Sequence, residues 1–269
     1  MPDLITSRQN EIVKTAARLS SAAGFRREQG LFLVEGARLC RDAAQSGVGI
    51  RTLFYTAQAG EKYADYLIEI QLAAEETYLV EPHVAALLSD TKSPQGVFCV
   101  CRMRAGTEEL EKMGSGLHYL GLENIQDPAN LGAVLRTAEA LGVGGVLLGG
   151  SCCDVYSPKV LRASMGAVFR LPFYVRAELA SAIAFLNSRG FVTLAAVPDS
   201  SARKVTAVGF RKPTVLFVGN EGNGLTSAAI AACSGAVTIP MLGRAESLNA
   251  SASAAILMWE MMREKSGGV

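Results

Sequence analysis

Histidine is nearly absent from this chain, with two residues in 269. Its six cysteines (Cys40, Cys99, Cys101, Cys152, Cys153 and Cys233) include no Cys-x-x-Cys pair. A metal centre, zinc above all, is therefore not expected. The apolar residues flanking most of these cysteines suggest buried thiols in a reducing compartment. No apolar run reaches the length that spans a membrane; Leu141 to Gly150 is too short and too rich in glycine. The opening stretch, Met1 to Thr15, is polar and mixed in charge, unlike a secretory leader. These absences point to a cytoplasmic protein with no membrane partner. Excess charge is missing as well. The net value is +1, so no overall basic field announces nucleic acid, although a local patch would suffice.

What is present is a glycine-rich globular composition: 49% hydrophobic, 19% charged, 27 glycines. That supplies ample core for one large or two modest domains. Apolar spacing alternates between strand and helix periods. Before residue 104, strands are expected at Leu31–Val34, Ile50–Thr56, Thr77–Val80 and Gly96–Cys101. Helices are expected at Ser7–Ser20, Gly36–Gln45, Tyr63–Ala73 and His83–Leu88, with Gly24 to Arg27 as a short basic connection. Residues 105–116 gather glycine, serine and charge and read as a linker. Beyond it, strands are expected at Tyr119–Leu122, Gly144–Leu148, Phe191–Val197, Val215–Val218 and Val237–Met241. Helices are expected at Leu131–Leu141, Ser157–Gly166, Ala180–Ser188, Ser227–Cys233 and Asn249–Arg263. The fold class is α/β, with a domain at 1–104, a linker at 105–116, and a second domain at 117–269 holding a mostly parallel sheet covered on both faces.

Val215 to Val218 run straight into Gly219-Asn220-Glu221-Gly222-Asn223-Gly224. Glycines at the end of a buried strand let the backbone approach a ligand. A phosphate is a poor candidate, because Glu221 would repel it and no Gly-Lys-Ser/Thr follows. A dinucleotide fold would want Gly-x-Gly-x-x-Gly after the first strand, and here the spacing differs and the loop lies late. Two further stretches stand out. Asn124, Asp127, Asn130 and Arg136 surround a strand-to-helix junction; an arginine among Leu131, Val134, Leu135 and Ala138 wants a dedicated partner, whether a ligand or a salt bridge. Ser247 and Asn249 stand at the mouth of the last helix, where plain N-capping would also favour them. Basic candidates for RNA are Arg26, Arg27, Lys159 and Arg162, the last two sharing a helix face. Eight basic against five acidic residues before position 52 fit a nucleic-acid face, and equally a solvated surface.

Taken together, Asn-x-x-Asp-Pro-x-Asn-x-Gly-x-x-x-Arg-Thr-Ala (124–138), Gly-Asn-Glu-Gly-x-Gly-Leu (219–225) and Ile-Pro-Met with Glu-Ser-Leu-Asn-Ala (239–250) resemble, in this order, the three motifs of the SpoU family. Over residues 118–263 the chain is similar to the TrmH-like RNA 2′-O-ribose methyltransferases of the SPOUT superfamily. The first hundred residues resemble, more loosely, the family's RNA-binding module, itself similar to a ribosomal protein. The resemblance implies a C-terminal domain with a deep trefoil knot that binds S-adenosylmethionine and forms a homodimer. It implies cofactor contacts at Gly219, Asn220, Ile239, Met241 and Leu248, and catalytic roles for Arg136, Asn130, Glu221, Ser247 and Asn249. Ribosomal RNA of the large subunit is the favoured substrate. Transfer RNA, or a non-catalytic RNA-binding relative, is the alternative. Arg136 matches the family's proposed base, but guanidinium groups hold their proton to pKa values above about 12. Holding an RNA phosphate suits it better.

Overall fold

The computed structural model describes residues 2–104 and 109–266, with backbone only over 264–266. The chain forms two compact units: Met1–Gly106 with Asp154–Arg170, and Thr107–Cys153 with Leu171–Val269. The sequence suggests a single division at 105–116. Residues 105–108 lie outside the described residues. From Leu110 onward that stretch belongs to the second unit: Leu110 and Met113 are buried in its core, and Arg189 Nη1 donates to the carbonyls of Leu110 and Glu111 at 3.0 and 2.7 Å.

The first unit runs β1 (Asp3–Ile5), α1 (Glu11–Ser21), α2 (Ala23–Gln29), β2 (Leu31–Glu35), α3 (Ala37–Gln45), β3 (Ile50–Tyr55), α4 (Ala57–Lys62), α5 (Ala64–Ala73), β4 (Ala74–Val80), α6 (Pro82–Leu88) and β5 (Val97–Arg102). The strands form one mixed sheet, β1-β4-β3-β5-β2. β4 runs parallel to β1 and β3, while β5 runs antiparallel to β3 and β2. Cys40, Cys99 and Cys101 are buried here, and burial pushes the last two thiols well above their usual range.

Helix α2 stands where a loose basic connection is expected. Arg26 explains it. The side chain is 3% exposed, with Nε and Nη2 on Asp154 Oδ2 at 2.8 and 2.7 Å and Nη1 on the carbonyls of Leu19 and Ser20 at 2.7 and 3.2 Å. Its donors face the interior of the first unit, so Arg26 is not available to RNA. Breaking a buried ion pair from one side costs about 3–5 kcal/mol. Arg26→Ala should lower the first unit's melting temperature markedly and leave cofactor affinity alone. Loss of RNA affinity at an unchanged melt would reverse this assignment.

The second unit follows as β6 (Tyr119–Glu123), α7 (Pro128–Ala140) and β7 (Val146–Gly149). Helix α8 (Pro158–Ser164) then falls in the segment that joins the first unit. The second unit resumes with β8 (Phe173–Arg176), α9 (Leu179–Ser188), β9 (Val192–Ala196), β10 (Arg203–Lys204), β11 (Thr214–Val218), α10 (Ser227–Ala232), β12 (Gly235–Thr238) and α11 (Ala250–Ser266). All seven strands are parallel, in the order β10-β12-β9-β11-β6-β7-β8. β11 is central and buried at every residue, which is why its sequence is a continuous apolar run rather than an alternation. Because the strands are parallel, β6, β11 and β12 deliver their C-terminal ends to one edge, the usual place for a site in such sheets. The three motifs occupy the loops there. β12 stops at Thr238, short of the Met241 expected, because Pro240 has no N–H for a ladder. Ile239 and Met241 are thereby released from the sheet into the loop. α11 returns to pack on α7 and β11.

Candidate active site

The 219–225 loop is a closed hairpin. Asn220 N donates to Gly224 O at 3.1 Å and Gly224 N to Asn220 O at 2.9 Å. Asn220 Oδ1 accepts from Gly222 N and Asn223 N at 2.8 and 3.2 Å, while its Nδ2 donates to Asn124 O at 2.9 Å. The glycine at 219 has a different purpose from the one its sequence suggests. A Cβ there would lie 2.0 Å from Gly224 C and 2.2 Å from Leu225 N. The close approach is to the loop's own returning backbone, and the ligand wall follows from that.

Asn124 anchors the other side of the hairpin. It sits in the left-handed region (φ 56°), and its Oδ1 accepts from Ser151 N and Oγ at 2.8 and 3.1 Å. Next to it Glu123, buried at the end of β6, accepts from Thr226 N and Oγ1 at 2.7 and 2.9 Å. Thr226 in turn caps α10 through Ala229 N. Glu123 escapes a reading of the sequence, where it directly follows the strand expected at Tyr119–Leu122. An acid in that position is the one visible sign that something must satisfy it.

Three motif residues meet in a chain of hydrogen bonds. Asn249 Oδ1 accepts from Ser251 N at 2.9 Å, so the capping reading holds for α11. Its Nδ2 donates to Asn130 Oδ1 at 3.1 Å, and Asn130 Nδ2 donates to Glu221 Oε1 at 2.5 Å. The cap fixes the orientation of Asn249, and that fixes which end of Asn130 faces Glu221. Asn130 comes from α7, which Asp127 caps through Ala129 N and Pro128 opens. Arg136 does not join this cluster. It is six residues further along α7, about a third of a turn round and roughly 9 Å along the axis. Its side chain is exposed and engages none of the described residues.

A cavity of about 320 Å³ lies beside the hairpin. Gly219, Asn220, Ile239, Met241 and Leu248 all line it, as do Glu221 and Ser247. Asn130, Asn249 and Arg136 do not. Its remaining walls are mainly apolar or small, including Val197, Leu225, Val237 and Leu257. Among the described residues no lysine or arginine lines it, and the one ionisable group lining it is Glu221. Such a chamber fits a cationic nucleoside and rejects a polyphosphate. The other titratable candidates lie elsewhere. His118 is buried, taking Thr214 N on Nδ1 at 3.2 Å, and His83 Nε2 meets Thr6 O at 2.9 Å in the first unit. Burial pushes the Cys233 thiol up to about 12 and raises that of Cys152. Among the described residues no three His, Cys, Asp or Glu side chains gather as metal ligands, and no helix is long and apolar enough to cross a membrane.

Of the basic candidates, Arg27 and Lys159 are exposed, whereas Arg162 is paired with Asp90 at 2.8 Å.

Residues 118–259 match the SpoU rRNA Methylase family, and residues 10–99 match the MRM3-like substrate binding domain. The chain is 30% identical to the 23S rRNA (uridine(2479)-2′-O)-methyltransferase of Streptomyces viridochromogenes, over 98% of this chain and 93% of that protein. It is also 30% identical to the 23S rRNA (guanosine(2553)-2′-O)-methyltransferase RlmP of Bacillus subtilis, over 96% and 98%. The crystal structure of an AdoMet-bound rRNA methyltransferase from Sinorhizobium meliloti matches with a TM-score of 0.86 at 29% identity, covering 97% of this chain and 98% of that one.

Proposed function

We infer the activity from one premise: this chain belongs to the SpoU rRNA methylase family. It is an S-adenosylmethionine-dependent RNA methyltransferase that acts on a ribose 2′-hydroxyl. Large-subunit ribosomal RNA is its substrate, as in the names of both relatives. Those names specify different bases, so family membership does not supply the base. The observation that carries the reading is the cavity in which, among the described residues, no cation stands and Glu221 is the one charge.

When bound, S-adenosylmethionine supplies a methyl group on a positively charged sulfur that is already a good leaving group. The backbone at Gly219, Ile239 and Leu248 would hold it, with Asn220 and Met241 beside them. The protein's own work is then orientation. Asn249 and Asn130 hold Glu221 in place, and Glu221 Oε2, which none of the described residues engages, takes the hydrogen bond of the 2′-hydroxyl. Ser247 completes the rim, and Arg136 holds RNA phosphate.

The finer features are proposals on the same footing. A deep trefoil knot suits a chain that leaves central β11, runs out to β12 and comes back as α11 onto β11. A homodimer through the second unit would cover Ile256 and Trp259, which α11 leaves 38% and 53% exposed. The first unit would dock RNA with Arg27 and Lys159, and the enzyme would work in the cytoplasm, where its RNA is.

Two measurements test the reading. Calorimetric titration should show saturable S-adenosylmethionine binding that ATP does not displace. Tritiated methyl should reach a large-subunit rRNA transcript and be blocked by 2′-deoxy substitution at the labelled nucleotide. Label on a base, or displacement by ATP, would sink it.

A further inference from the structure

The hairpin that walls the cofactor cavity has a second face. On it lies another cavity of about 340 Å³, lined by Asn124, Gln126, Ser151 and Thr226 together with Asn220, Asn223, Gly224 and Leu225 of the hairpin. Asn223 and Gly224 line both cavities, so one thin loop separates them. The chemistry of the two chambers differs. Among the described residues no ionisable side chain lines the second, which is surrounded by amides and hydroxyls. The carboxylate of Glu123 behind it is already taken by Thr226.

Much of the hydrogen-bonding capacity of this lining is unused. Asn124 is held rigidly through Oδ1 and its carbonyl, leaving Nδ2 unengaged among the described residues. Asn223 is held through its backbone N–H, leaving its whole side-chain amide open. Gln126 is exposed and its side chain engages none of the described residues. The backbone here is pinned while the amide ends of Gln126 and Asn223 face solvent, so a ligand can take them without breaking an internal bond. A phosphate would want a cation, and an apolar ligand would want fewer amides. A flat, neutral ligand edged with donors and acceptors fits, which describes a nucleobase.

We propose that this second cavity receives the base of the nucleotide whose ribose is methylated, and that Gln126, with Asn124 and Asn223, reads the base edge. The proposal rests on the methyltransferase reading. It places base and cofactor on opposite faces of the 219–225 hairpin, with Glu221 on the same loop. Enzymes that work on a single nucleotide in RNA expose its base and read it by such contacts. Gln126 is a specificity residue in this account, since it lines only the second cavity.

The test locates the tritiated methyl in a large-subunit rRNA transcript, then compares four transcripts carrying each base at that nucleotide. Wild-type protein should prefer one base. Gln126→Ala should reduce kcat/KM for that base about tenfold, the scale of one good side-chain–base contact, and leave the other three little changed. Gln126→Glu keeps the acceptor and drops the donor, so it should shift preference toward bases presenting donor groups. Cofactor affinity by calorimetry should stay at the wild-type value for both. An equal loss on all four transcripts, or a weakened cofactor affinity, overturns the base pocket while leaving the methyltransferase intact. Absence of methyl transfer by the wild-type protein to any transcript overturns the underlying activity instead.

Discussion

Gly219→Ala should abolish cofactor binding while leaving the second unit folded. The added Cβ would meet three backbone atoms at 2.0, 2.2 and 2.3 Å, all from Gly224 and Leu225. No rotamer relieves a backbone clash, so the hairpin must open. Opening breaks the paired hydrogen bonds between Asn220 and Gly224 and carries Asn220, Glu221, Gly222, Asn223 and Gly224 away from the cavity they line. The sheet does not depend on that loop. β11 ends at Val218, is buried throughout, and is laddered to β6 on one side and β9 on the other. S-adenosylmethionine affinity by calorimetry should therefore fall by more than about a hundredfold, with a loss of only about 1–3 kcal/mol of stability for one forced backbone shift. Affinity within a few-fold of wild type would show that the hairpin is not the cofactor wall. Collapse of the whole unit would show that the loop carries stability the sheet was credited with.

That glycine also marks how far the sequence could be read. The buried strand, the turn after it and the unwanted negative charge on a phosphate cradle were all visible in Val215 to Gly224. They are local consequences of composition. Which atoms Gly219 makes room for was not visible, because the returning backbone lies only five residues away and a ligand would impose the same demand. Arg26 is the long-range case. Its partner Asp154 is 128 residues distant, so a buried ion pair and an exposed RNA contact look alike in one dimension. Glu123 and Thr226, 103 residues apart, pose the same difficulty. β10 is too short for any period to show, and β8, four residues long, escaped the reading too. What the motifs did preserve is adjacency at the C-terminal edge of a parallel sheet. Asn130, Glu221 and Asn249 come from three distant stretches and meet in one hydrogen-bonded chain. Asn130, and not Arg136, is the partner that the fold gives Glu221.

Arg136→Ala should cost about thirtyfold or more in kcat/KM, and the way in which it does so separates two roles. Loss of a charge-assisted contact costs about 2–5 kcal/mol, and each 1.36 kcal/mol is a factor of ten. If Arg136 were the base, the loss would fall on kcat, RNA affinity would hold, and the rise of the rate with pH would vanish. The structure argues for the other role. Arg136 is exposed and lies away from Asn130 on α7. An unpaired, solvent-facing guanidinium suits capture of a phosphate. The loss should then appear as weaker RNA binding, and the slope of log affinity against log salt should become shallower by about one, the release of one phosphate contact. Arg136→Lys should recover part of the affinity but not all, because lysine keeps the charge and loses the two-pronged geometry. An unchanged salt slope together with a flattened pH profile would return Arg136 to the role of base, and Glu221 would then be left to orient the hydroxyl.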